Sequence, residues 1–149
     1  MLRQLLIFLH LGSVIVWVGG MVFAYFCLRP AAARVLDPPL RLPLWAATFG
    51  LFFRFVGIAI AIIFLSGFAM LVQTGFAFAP LGWYVMLAVG LAMAGVFGYI
   101  DRKLYPELRR YCEAADWPAA AVALNGIRRL VAVNLVLAVC TIAAALSSR

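Results

Sequence analysis

Charge is what this sequence has least of. Only 11% of its 149 residues are Asp, Glu, Lys or Arg, against about 25% in a soluble domain. The hydrophobic fraction is 68% and the mean hydropathy +1.12. Too little polar surface remains to cover a water-soluble globule, so the composition excludes a soluble enzyme. It equally excludes a disordered chain, which would be poor in apolar residues. Acids are the rarest charges. There are five, Asp37, Asp101, Glu107, Glu113 and Asp116, and none falls within a long apolar run. A carboxylate proton relay of the pump type is therefore not expected. Histidine occurs once, at His10, and with no acid in a span no Ser–His–Asp set can be assembled around it. Cys27, Cys112 and Cys140 form no CxxC, which removes a paired-thiol redox or metal motif. There is no GxxxxGK[ST], HExxH or GxSxG. No basic face is interleaved with aromatics, so the net charge of +7 does not read as a nucleic-acid surface.

What is present is four apolar stretches, each near the 20 residues that cross a bilayer. They run over 5–28, 51–72, 81–100 and 130–146. Four spans in a chain this short predict an all-α membrane protein, a four-helix up-down bundle forming one domain over 1–149. The first stretch is longer than the 7–15 apolar residues of a signal peptide, so it is expected to be retained. Arg29-Pro30 should stop the first helix, because the residue before proline avoids the helical region. Residues 29–50 and 101–117 are then loops. Asp37-Pro38-Pro39 reads as a rigid turn, and 42–50 as an interfacial segment anchored by Trp45. Asp116-Trp117-Pro118 reads as a helix start, with Asp116 as the cap and proline in the first turn. The last helix should therefore begin well before it enters lipid.

The charges are unevenly shared. Ten of the 12 basic residues, and all five acids, belong to the two long connections or the helix ends beside them. Arg3 and Arg149 alone stand on the other side. The positive-inside rule then places 29–50 and 101–117 in the cytoplasm and both termini outside it. A bacterial inner membrane with periplasmic termini is the expected location. The lipid bilayer is the first partner; a periplasmic copper or electron-transfer partner and a second copy of the chain are further expectations.

Chemistry must come from the few polar or soft side chains at membrane depth, where such groups are costly and often functional. His10 lies six residues past Gln4, about 9 Å deep at 1.5 Å per residue. At a similar level the other helices offer Met70, Met86 and Cys140. Imidazole, thioethers and a thiol are the donors that select Cu(I) or ligate haem iron. Methionine and buried cysteine also serve simply as packing. Ser13, Val14, Trp17 and Met21 share the His10 face of the first helix. Gly12, Gly19 and Gly20 thin that helix, either for close helix packing or to admit a flat macrocycle such as haem. At the opposite level, Arg54, Arg128 and Arg129 either snorkel to the interface or bind an anionic group, a haem propionate among them. Asn125 and Asn134 are expected to bond between helices.

Several of these runs resemble one family. His10-Leu11, Trp17-Val18-Gly19-Gly20-Met21 and Leu28-Arg29-Pro30 resemble the opening helix of the copper-resistance protein D (CopD) family. The last helix of that family is similar to Asp116-Trp117-Pro118-Ala119-Ala120 with Leu124-Asn125-Gly126-Ile127-Arg128-Arg129-Leu130-Val131 and Asn134-Leu135. Ser66-Gly67 fits the second helix. The resemblance implies a small inner-membrane protein concerned with copper uptake or tolerance. The family's third helix often has a histidine where Tyr84 stands here, which speaks against a bis-histidine haem within one protomer. Three readings follow. The first is a protein that binds or passes copper through His10, Met70, Met86 and Cys140. The second is a b-type haem protein, enzyme or cytochrome, with His10 as axial ligand, Trp17 beside it, and Arg54 and Arg128 near the propionates. The third is an assembly subunit with no cofactor.

Overall fold

The computed structural model describes residues 1–146, so the Arg149 end assigned above lies outside the described residues. Four helices account for nearly all of it: α1 (Leu2–Val35), α2 (Pro38–Thr74), α3 (Leu81–Glu113) and α4 (Trp117–Leu146). All four are long and apolar enough to cross a membrane, and no strand occurs among the described residues. The connections are short: two residues between α1 and α2, a 75–80 linker with one 3-10 turn (Phe76–Phe78), and three residues before α4. Consecutive helices therefore run up and down. α1 packs along α2 and α3 along α4. The outward surface is apolar, with Phe8, Ile15, Leu65, Val136 and Val139 exposed, as a lipid-facing surface requires.

The helices reach further than the composition foretells. Residues 29–50 and 101–117, expected as loops, are largely helical, and Arg29-Pro30 does not stop α1. Proline in a helix interior loses one hydrogen bond and strikes the carbonyl four residues back. For Pro30 that carbonyl belongs to Phe26, and Phe23–Leu28 is π-helical. For Pro106 it belongs to Arg102, and Ile100–Leu104 is π-helical. In both places a wider turn precedes the ring and lets the helix continue. Pro38 and Pro39 sit in the first turn of α2, where the missing N–H costs nothing. The cap at the last helix is as expected: the Ala119 amide donates to Asp116 Oδ1 at 3.1 Å.

At 37 residues, α2 is about 56 Å long at 1.5 Å per residue, against a hydrocarbon core of about 30 Å. Much of the excess is at the basic end, where the tightest packing lies. Leu42, Trp45 and Phe49 of α2 meet Leu108 of α3 and Ala120, Leu124 and Ile127 of α4, all buried. Trp45, expected as an interfacial anchor, is in this core instead, tilted against Phe49 at 5.1 Å and beneath the Arg128 guanidinium at 5.6 Å. A smaller cluster of Trp17, Met21, Val56, Met93 and Ala138 closes the middle of the bundle. Gly20 serves packing: a Cβ there would overlap the tip of the Phe52 ring, so the missing side chain makes room for that ring between α1 and α2. Gly12 and Gly19 face nothing within 4 Å.

Candidate functional site

Towards the terminal end the four helices part around a cavity of about 340 Å3, within the range of roughly 300–1,000 Å3 usual for small-ligand sites. Each helix supplies one stripe at helical spacing. α1 gives Ile7, His10, Val14 and Trp17; α4 gives Ala138, Thr141, Ile142 and Ala145. From α2 come Ile63, Gly67 and Met70, and from α3 Trp83, Met86, Gly90 and Met93. The walls are apolar apart from His10 and Thr141.

The imidazole is held by α2. His10 Nδ1 lies 3.0 Å from Ser66 Oγ. That hydroxyl has one proton, and it points at the Ile62 carbonyl oxygen 2.6 Å away, with the Ile63 carbonyl at 3.2 Å. The serine oxygen must therefore accept, and His10 Nδ1 donates. The network assigns the tautomer: Nδ1 carries the hydrogen, and the Nε2 lone pair is available. A metal-binding histidine is oriented in this way, its second nitrogen tied to a partner. Gly67 completes the seat. A Cβ there would stand 3.2 Å from His10 Cε1 and 3.5 Å from Nδ1, so the missing side chain lets the ring lie against α2.

Met93 is the member that sequence reasoning missed. It is buried at 4% exposure, and its sulfur is 4.0 Å from Thr141 Oγ1. The Thr141 proton goes to the Leu137 carbonyl at 2.9 Å, so it leaves the sulfur lone pairs unclaimed. Asn134, buried on α4, donates from Nδ2 to the Met93 carbonyl at 3.2 Å and fixes the backbone there. The signal was present. Met86 and Met93 are seven residues apart, two turns, and so lie on one helix face.

The remaining candidates lie elsewhere. Trp17 lines the cavity with His10. Cys140 is exposed and is not among the lining residues. Arg54 is exposed as well. It precedes Ser66 by 12 residues of α2, about 18 Å at 1.5 Å per residue, and does not line the cavity. Arg128 belongs to a separate pocket at the basic end. Tyr84 donates its hydroxyl to the Phe76 carbonyl at 2.6 Å, tying α3 to the linker. Among the described residues, no three His, Cys, Asp or Glu side chains converge on one point. The side chains lining the cavity that could hold a metal are thus one imidazole and three thioethers.

Neutral nitrogen and thioether donors in an apolar cavity suit a soft, singly charged metal ion; Mg²⁺ and Ca²⁺ want oxygen. Comparison with known proteins agrees in kind. The family model for copper resistance protein D matches residues 46–147, which includes α3, α4 and most of α2. The match does not extend to His10. No curated protein and no solved structure matches the chain. With more than half its length matched by that model, this four-helix membrane chain belongs to the copper resistance protein D family.

Proposed function

We propose that the cavity is a Cu(I) site, and that the protein binds copper there and passes it on. His10 Nε2 is the first donor, and the thioethers of Met70, Met86 and Met93 are its soft partners. The observation that carries this reading is the Ser66 network, which frees Nε2 in a cavity lined by three methionines. Cu(I) is the cargo that such donors prefer. Neutral ligands leave the ion its single charge, which an apolar wall tolerates far better than two. Thioether ligation without a thiolate is exchangeable, which suits transfer more than storage. Family membership supports the same reading. The site would open toward the periplasm of a bacterial inner membrane. Ten of the 12 basic residues belong to the opposite end, and the positive-inside rule places that end in the cytoplasm.

The test is a Cu(I) titration of the detergent-purified protein against a chromophoric chelator. One Cu(I) per chain is expected. His10→Ala should remove it, Met86→Leu and Met93→Leu should weaken it, and Cys140→Ser should leave it unchanged. A wild-type protein that takes up no Cu(I) overturns the proposal. A Soret band in the purified protein that His10→Ala abolishes would replace copper by haem.

A further inference from the structure

The basic end has its own pocket, about 370 Å3, between α1 and α4. Tyr25 and Arg29 come from α1; Asn125, Arg128 and Arg129 come from α4. The copper reading uses none of them. No carboxylate lines the pocket, and the ion pair found among the described residues, Arg109 with Glu113, involves neither α1 nor α4.

These arginines are positioned. The Arg29 guanidinium lies over the Tyr25 ring, 5.1 Å from its centre. Arg128 stacks on Trp45 and donates from Nη1 to Asn125 Oδ1 at 3.3 Å. Its Nε is buried and has no hydrogen-bond partner. Arg29 and Arg41 lie close enough for their charges to repel that of Arg128. Like charges gathered in a half-buried pocket, with a donor left unpaired, are unfavourable unless an anion joins them. Planar guanidinium forks match phosphate oxygens two at a time.

We infer that this pocket binds a phosphate-class anion between Arg29, Arg128 and Arg129. Its level in the chain fits a membrane phosphate. Arg29 directly follows the first apolar run and Arg129 directly precedes the last, so both stand where the helices leave the hydrocarbon. Basic pockets between transmembrane helices at that depth take anionic phospholipid headgroups. A free phosphate has the same chemistry, and experiment separates the two sources.

The experiment is native mass spectrometry of the whole chain in neutral detergent, with phosphatidylglycerol, phosphatidylcholine or inorganic phosphate added. Phosphatidylglycerol is expected to stay bound where phosphatidylcholine leaves. The Arg29→Gln/Arg128→Gln double variant should bind it at least about tenfold more weakly, the size of one charge-assisted hydrogen bond. The control Arg102→Gln/Arg109→Gln removes the same charge outside the pocket and should bind as wild type does. Inorganic phosphate that displaces the lipid at equal concentration assigns the site to the free ion; failure to displace it assigns the site to the lipid. If the double variant does not fold, Arg129→Gln, at an exposed position, carries the same comparison. Equal retention of phosphatidylglycerol and phosphatidylcholine, with no inorganic phosphate retained either, overturns the inference. So does a pocket variant that binds like the control.

Discussion

Ser66→Ala tests the tautomer argument directly. The change removes the oxygen that accepts the His10 Nδ1 hydrogen at 3.0 Å. A net hydrogen bond contributes about 1 kcal/mol, and a donor left unpaired away from water costs about 1–3 kcal/mol. The imidazole then keeps only its backbone contact with Ile63, and the ring is freer to turn or to move its hydrogen to Nε2, which blocks the ligand lone pair. Loss of such an orienting partner typically lowers metal affinity about 10- to 100-fold, equivalent to about 1.4–2.8 kcal/mol. The fold should lose about 1 kcal/mol, the net contribution of that one bond. The serine hydroxyl bonds the Ile62 carbonyl four residues back on its own helix, a bond that adds little to helix stability. The assay pairs a Cu(I) competition titration with a thermal melt in the same detergent. Affinity should fall about 10- to 100-fold while the melting temperature moves by only a few degrees. An unchanged affinity, with His10→Ala still abolishing binding, would refute the claim that Ser66 sets the ligand nitrogen.

Three further outcomes follow from the same geometry. Gly67→Ala should push the imidazole by a few tenths of an ångström, because its Cβ would stand 3.2 Å from Cε1. Cu(I) affinity should drop, while alanine's helix preference of about 0.5–1 kcal/mol offsets the crowding in the fold, so the titration should move more than the melt. Asp116→Ala removes the cap on the Ala119 amide and should cost about 1 kcal/mol, read as a lower melting temperature with Cu(I) affinity intact. A reporter active only outside the cytoplasm should be active when fused at the C-terminus and silent when inserted after Ala115; the reverse pattern overturns the assigned orientation.

The four spans were legible because an apolar run of about 20 residues has little use outside a bilayer. Their ends were not. Pro30 looks like a stop in sequence and Pro106 falls in a stretch expected as loop, yet both rings are accommodated by π-helical turns, and no residue type announces such a turn. Trp45 carries the composition of an interfacial anchor, but its position between Phe49 and Arg128 depends on how far α4 extends beyond the membrane. His10 stood out because it is unique. Its contact with Ser66 crosses 56 residues of chain, and no spacing rule reaches that far. Met93 shares a helix face with Met86, seven residues away, but it lies deeper than His10, so a comparison of depths does not reveal it. Equal depth also brought Cys140 into the candidate set, although its side is turned away from the cavity.

The position of the tightest packing has a consequence for how the molecule stands up to handling. Lipid tails solvate leucine as well as another leucine does, so between spans the hydrophobic drive is nearly absent. Water restores it where helices emerge. Leu108, Ala120 and Ile127 are at 0% exposure in that emergent region, while the cavity end has few fully buried side chains. The basic end thus clamps α2, α3 and α4 together, while α1 is held mainly along α2 at the cavity end. Truncating Ile127 to alanine, which elsewhere costs about 2–5 kcal/mol for a buried aliphatic, should loosen the whole bundle. Comparable truncations around the cavity should be tolerated.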